Sequence, residues 1–135
     1  MPTSERIKRL YFFYGGDVAV CKERASTAAG SSDVLLVEIE NGGCIEHAVI
    51  RAIVMGDTNQ ELRQFSVTGR TGSQNGKTVR IDLGSLCHGD QIKTGYKFKT
   101  QPPTKDIEVR YEVYDSDNSS NNSNTAIVKI KNTCP

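Results

Sequence analysis

The chain has no tryptophan and little apolar material. Of its 135 residues, 36% are hydrophobic and 7% aromatic, a share below that of ordinary globular domains. A core this thin fits two facing β layers better than a large α/β enzyme body. No apolar run approaches the ~20 residues of a membrane-spanning helix. Met1 to Arg9 is polar and charged, and the apolar run Leu10 to Tyr14 is too short for the core of a secretory leader. The chain therefore reads as cytosolic or as the mature part of a secreted protein. Neither sign of charge dominates: 17 Lys and Arg stand against 16 Asp and Glu, net +1, and the two signs are interleaved. That balance excludes a nucleic-acid footprint and a polybasic membrane patch. Catalytic signatures are missing too. There is no G-x-S-x-G, no H-E-x-x-H and no phosphate-binding glycine loop, so a non-enzyme is expected.

What the chain does contain is alternation interrupted by turns. Ile7 to Tyr14 (I-K-R-L-Y-F-F-Y) has high β propensity and stops at Gly15-Gly16, which suggests a tight hairpin into Asp17 to Lys22. Glu23 to Asp33 reads as loop, with a short helix over Ala25 to Ala29 as the alternative. Val34 to Glu40 is a strand broken by Asn41-Gly42-Gly43. Ile45 to Met55 is ambiguous. Ile45, Ala48, Val49, Ala52 and Ile53 fit a helical period, whereas the β-branched content and flanking glycines favour a strand. Strand neighbours decide for strand. Leu62 to Thr68, Thr78 to Leu83 and Gln91 to Thr100 alternate as well. Gly69 to Lys77 is read as a turn region, and Gly84 to Asp90 as a connection or single helical turn. Lys93, Lys97 and Lys99 on one face suggest a protected edge strand, ended by Pro102-Pro103. Asp106 to Asp115 and Thr125 to Thr133 flank the polar tract Ser116 to Asn124, read as a loop. About nine short strands at even spacing predict a single all-β domain over residues 1–135, an antiparallel β-sandwich of immunoglobulin-like or jelly-roll type.

Four groups of residues could carry function. The four cysteines, Cys21, Cys44, Cys87 and Cys134, form no C-x-x-C pair, so neither a zinc ribbon nor a thioredoxin-type motif is present. Their strand-end and loop positions favour disulfides, and three pairings remain open. Asp115 and Asp117 open the polar tract with D-x-D spacing, and Asp33 precedes a strong strand; calcium needs six to eight oxygen ligands of this kind. Asn118-Ser119-Ser120 and Asn121-Asn122-Ser123 both satisfy the N-glycosylation pattern. His47 and His88 could pair with a cysteine nucleophile only with a third orienting group.

Two resemblances follow from these residues. V-R-Y-E-V-Y-D-S-D-N resembles the calcium-loop strand of C-two-type lipid-binding domains, and G-S-S-D-V-L-L-V-E-I resembles their first loop and following strand. Val34 stands where that family has proline, and its Asn-Pro-x-Trp-Asn stretch is absent. The resemblance implies calcium ligands at Asp33, Asp115 and Asp117 and calcium-dependent membrane contact. The stretches V-A-V-C-K-E-R, V-E-I-E-N-G-G-C and C-H-G-D-Q-I-K-T-G-Y-K-F are similar to secreted plant proteins of the tapetum-determinant type, which implies an extracellular receptor ligand.

The sequence thus leads to a binding or assembly module, secreted or surface-exposed, that meets a protein or carbohydrate partner through Ser116 to Asn124 and Gly69 to Lys77. No cofactor other than calcium is expected. The alternatives are a calcium-dependent ligand- or membrane-binding domain, and a homo-oligomeric structural subunit, viral or filamentous, that assembles through the apolar first strand.

Overall fold

A computed structural model describes residues 5–20, 33–55, 62–67, 70–71, 73–75, 77–98 and 107–132. These residues form twelve strands. They are β1 (Ile7–Tyr14), β2 (Val18–Val20), β3 (Asp33–Ile39), β4 (Cys44–Met55), β5 (Leu62–Val67), β6 (Arg70–Thr71), β7 (Ser73–Asn75), β8 (Thr78–Cys87), β9 (Gln91–Phe98), β10 (Ile107–Asp115), β11 (Asn118–Asn122) and β12 (Ala126–Asn132). A single 3-10 turn, Glu40–Gly42, joins β3 to β4. One sheet runs β1-β3-β9-β5-β6, and the other runs β2-β12-β10-β4-β8-β7, with β11 folded back on β10. The expected β-sandwich is present, and every pairing is antiparallel except β2 with β12.

The core lies between the sheets and follows from side-chain alternation. Along β3, residues of period two are buried: Leu35, Val37 and Ile39. Along β10, Val109, Tyr111 and Val113 face them from the opposite sheet. Tyr111 is fully buried, and Phe12 of β1 meets it edge-on with ring centroids 6.2 Å apart, a favoured aromatic geometry. Ile7, Leu10 and Ile92 complete the first sheet's contribution.

β4 resolves the helix-or-strand ambiguity. Its pairing with β8 shifts register between Ile45 and Val49. The bulge moves the buried set from Ile45 to Ala48, Ile50, Ala52 and Val54. A strand whose parity changes at a bulge reproduces a helical spacing of apolar residues.

Several local expectations are corrected. Gly15-Gly16 makes no hairpin: β1 pairs with β3, and β2 crosses to the other sheet and runs parallel to β12. The two glycines have φ of 93° and 118°, values that L side chains rarely adopt. Thr78 to Leu83 is only the first part of β8, which continues through Gly84 (φ 68°) to Cys87. Gly84 therefore sits at a register irregularity inside a strand, not at a chain reversal. β9 is an interior strand between β3 and β5; Lys93 is exposed because it faces solvent from the outer surface of the sheet, and alternation reports a face rather than an edge. Gly69 to Lys77 contains β6 and β7, which belong to different sheets. The tract Ser116 to Asn124 contains β11. The possible helix over Ala25 to Ala29, the turn Gly56 to Gln60 and Pro102-Pro103 lie outside the described residues.

Candidate functional site

The β10–β11 hairpin gathers most of the polar chemistry at one end of the sandwich. Its turn is held locally. Asp115 Oδ1 accepts the Asp117 N–H at 2.9 Å, a turn in which an Asp side chain bonds two residues on. Ser116 donates both its N–H (2.8 Å) and its hydroxyl (2.9 Å) to the His47 carbonyl. Above them, Asp117 Oδ2 lies 2.6 Å from His47 Nδ1. Both side chains are exposed. The Asp117 hydrogen bond and charge, with smaller help from Glu46 and Asp115, raise the His47 pKa above its ordinary value.

The rest of the tract divides by direction. Asn118 is exposed, and its Oδ1 accepts both the N–H (3.3 Å) and the hydroxyl (2.6 Å) of Ser120. Asn121 is 9% exposed. Its Oδ1 accepts the Ile7 N–H at 2.8 Å, and its Nδ2 donates to the Glu5 carbonyl at 2.9 Å. The buried Ser123 hydroxyl accepts the Val113 N–H at 3.0 Å. Asn124 brackets Leu10, its Oδ1 accepting the N–H at 2.8 Å and its Nδ2 donating to the carbonyl at 3.1 Å. Arg6, Asn118, Ser120, Asn121 and Asn122 line an open polar cleft of about 270 Å³. The contribution of Arg6 and the inward asparagines was not legible in the sequence, because those contacts join residues more than a hundred positions apart.

The three aspartates do not come together. Asp33 starts β3, where its fully buried Oδ1 accepts the Gly16 N–H at 2.8 Å, at the Tyr14 end of β1. Asp115 and Asp117 lie at the Ile7 end, beside the Asn121 that bonds Ile7. Roughly 25 Å of strand, at ~3.3 Å per residue, separates the two ends. Among the described residues, no group of three His, Cys, Asp or Glu is poised to hold a metal ion. Burial raises the Asp33 pKa, partly opposed by the Gly16 bond. The second oxygens of Asp33 and Asp115 make no hydrogen bond among the described residues.

Cys44 and Cys87 form a disulfide across the first register pair of β4 and β8. Cys87 is thereby removed as a nucleophile, and the neighbouring His88 accepts the Ile39 N–H through Nδ1 at 3.0 Å. Cys21 and Cys134 lie outside the described residues.

No family model matches the chain, and no curated protein matches it; neither sequence resemblance is accompanied by a family match. Solved structures do share the architecture. AvmM, which catalyses macrocyclization in alchivemycin A biosynthesis, aligns over 98% of this chain and 92% of its own, at 6% identity and a TM-score of 0.56. A cohesin module from a Clostridium perfringens family 33 glycoside hydrolase aligns over 96% and 99%, at 13% identity and a TM-score of 0.47. The collagen-binding domain of a Staphylococcus aureus adhesin aligns over 97% and 100%, at 11% identity and a TM-score of 0.43. At 6% identity the likeness to AvmM is one of fold alone.

Proposed function

We propose that this protein is a non-enzymatic binding module that takes a hydroxyl-rich partner, a carbohydrate, in the cleft of the β10–β11 hairpin. The observation that carries this reading is the make-up of the cleft. One basic residue, Arg6, lines it together with Asn118, Ser120, Asn121 and Asn122. Amides and hydroxyls match the paired donors and acceptors of sugar hydroxyls, and Arg6 adds a fork for a carboxylate. Asn121, bonded on both sides, holds the floor in place before any ligand arrives, which lowers the ordering cost of binding. The test is titration of the full chain with a panel of neutral and acidic oligosaccharides. Expected is binding that Arg6→Ala weakens about tenfold, the loss of one charge-assisted hydrogen bond. No binding across the panel sinks the reading.

The Cys44–Cys87 disulfide supports an oxidising, extracellular setting. No helix among the described residues is long and apolar enough to cross a membrane. In a eukaryotic secretory host, Asn118 is the expected sugar acceptor and Asn121 is not, because its amide is already bonded twice and buried. Peptide mass spectrometry after enzymatic deglycosylation reads this directly, and a glycan on Asn121 would refute the assignment. Since Asn118 lines the cleft, a glycan there closes it, so cleft binding belongs to the unglycosylated protein. The calcium-dependent alternative rests on Asp115 and Asp117 with ligands other than Asp33. A thermal melt unmoved by millimolar calcium sinks it, since a ligand of the folded state raises apparent stability.

A second reading, assembly of copies of this chain, is favoured by one observation. Among the described residues β1 is the edge of its sheet, and it carries Phe13 and Tyr14 at 61% and 69% exposure.

A further inference from the structure

We propose that the cleft of the β10–β11 hairpin selects acidic sugars, those bearing a carboxylate, and that Gly43 is the positioning residue that leaves Arg6 free to do so. The inference rests on the carbohydrate reading of that cleft and deepens it. Its first support is how the arginines are used. Arg9 pairs with Glu38, Arg51 with Glu112 and Arg110 with Glu108, and Arg80 donates to the Tyr114 hydroxyl. The exposed Arg6 has no such side-chain partner among the described residues. It lines the cleft beside asparagines and a serine, with no carboxylate among the described lining residues. A guanidinium without a partner offers its planar fork to a carboxylate. A neutral sugar leaves that fork unused.

The carboxylates close by are engaged elsewhere. Asp117 pairs with His47, and Asp115 holds the Asp117 N–H. Glu5, next to Arg6 in the chain, is the one best placed to neutralise it. Its carboxylate instead accepts from Asn41 Nδ2 at 3.4 Å, and its stem lies across Gly43. A Cβ at Gly43 would overlap the Glu5 Cγ and come within 3.1 Å of the Glu5 Cβ and 3.2 Å of the Glu40 carbonyl oxygen. Gly43 has φ of −83°, which any residue adopts, so space and not conformation asks for glycine there.

The turn that carries Gly43 is anchored on both sides. Toward the cleft, the Glu40 N–H donates to the Arg6 carbonyl at 2.9 Å. Away from it, the Gly43 carbonyl accepts the His88 N–H at 3.0 Å, and Cys44 is bonded to Cys87. The main chain on either side of Arg6 is held by Asn121, through the Glu5 carbonyl and the Ile7 N–H. With the turn fixed, an added methyl at Gly43 displaces the Glu5 side chain, and the carboxylate leaves Asn41 for its neighbour Arg6.

The experiment is calorimetric titration of the full, unglycosylated chain with an oligouronate and with the same oligosaccharide after its carboxylates are reduced to alcohols. Circular dichroism confirms folding. Wild type is expected to prefer the oligouronate about tenfold, the effect of one charge-assisted hydrogen bond. Arg6→Ala removes the preference by weakening the oligouronate alone. Gly43→Ala lowers the preference at least about threefold while the reduced oligosaccharide binds as before, and adding Glu5→Ala restores it. If Gly43→Ala does not fold, Glu5→Gln carries the test, since it drops the charge and keeps the shape. With Glu5 held aside, that change moves the preference less than about threefold, the effect of one screened charge. A larger rise overturns the role of Gly43. So does a folded Gly43→Ala that keeps the full preference, or one that weakens both oligosaccharides alike. Wild type that binds both forms equally overturns the selectivity and leaves the carbohydrate reading standing. Wild type that binds neither overturns both.

Discussion

The two ends of the sandwich each bury an aspartate, and they do it by different means. At one end, Asp117, two residues along the chain, donates its N–H to Asp115. At the other end, the donor to Asp33 is Gly16, seventeen residues away on a segment that crosses between sheets. The first arrangement is a turn that a short peptide can form. The second exists only once β1 and β3 are paired. The Asp33 end is therefore the more demanding, and it tolerates less change.

Substitution at Gly15 breaks that contrast most severely. A Cβ there would overlap Asp33 Oδ1 and approach the Asp33 Cα to 2.9 Å, on a backbone with φ of 93°. Gly15→Ala is expected to cost about 3–5 kcal/mol in a denaturant titration, combining the positive-φ penalty with overpacking. Asp117→Ala in the opposite turn should shift the same denaturant midpoint far less, since both side chains of its ion pair are exposed.

The disulfide comes next. Cys44→Ser with Cys87→Ser opens a closure of 43 residues and is expected to cost about 2–4 kcal/mol, largely through the unfolded chain. Thermal unfolding of the oxidised and doubly substituted chains measures it.

The hairpin itself offers a finer comparison. Asn121→Ala strands the Ile7 N–H and the Glu5 carbonyl and should cost about 2–3 kcal/mol. Asn118→Ala, three residues away and exposed, should stay within about 0.5 kcal/mol. Equal effects at the two positions would contradict the division of the tract into inward and outward halves.

The smallest effects lie in pH. Asp33 has a folded pKa raised from its ordinary value of 3.8, chiefly by burial. Between the unfolded and folded values the folded state holds more protons, so this group makes stability fall as pH rises through that window. Asp33→Asn should flatten that part of the stability profile. At the other end, the His47 pKa is raised by Asp117. Its favourable contribution is complete below its unfolded value and is lost as pH rises through the folded one. Asp117→Asn should lower the His47 midpoint in an NMR titration. A midpoint that does not move would remove the pair.

Much of the architecture was legible because alternation is local. Asp106 to Asp115 alternated in the sequence, and its buried residues follow that period; Val34 to Glu40 was legible as a strand from its apolar first half, and packing sorted that run onto alternate faces. Ile45 to Met55 was ambiguous for a physical reason: a bulge changes the parity of the buried face midway through β4. Gly84 was misread for a related one, since a glycine of positive φ can serve a bulge as well as a turn. In the polar tract, composition announced solvent. Three of its eight asparagine and serine side chains, Asn121, Ser123 and Asn124, instead hold main-chain groups of β1 and β10.

The sequence by itself determined that two β layers would bury a small aliphatic core, because alternation, β-branched strands and glycine breaks act over a few residues. It also determined the local turn from Asp115 to Asp117. The tertiary structure alone decided which strands became neighbours, that Gly15-Gly16 is a crossing between sheets, that Cys44 joins Cys87, and that Asp33 stands apart from Asp115. It alone turned Asn121 and Asn124 into partners of β1. Those contacts bring together groups far apart in the chain, and their geometry is defined only when the sheets have already packed.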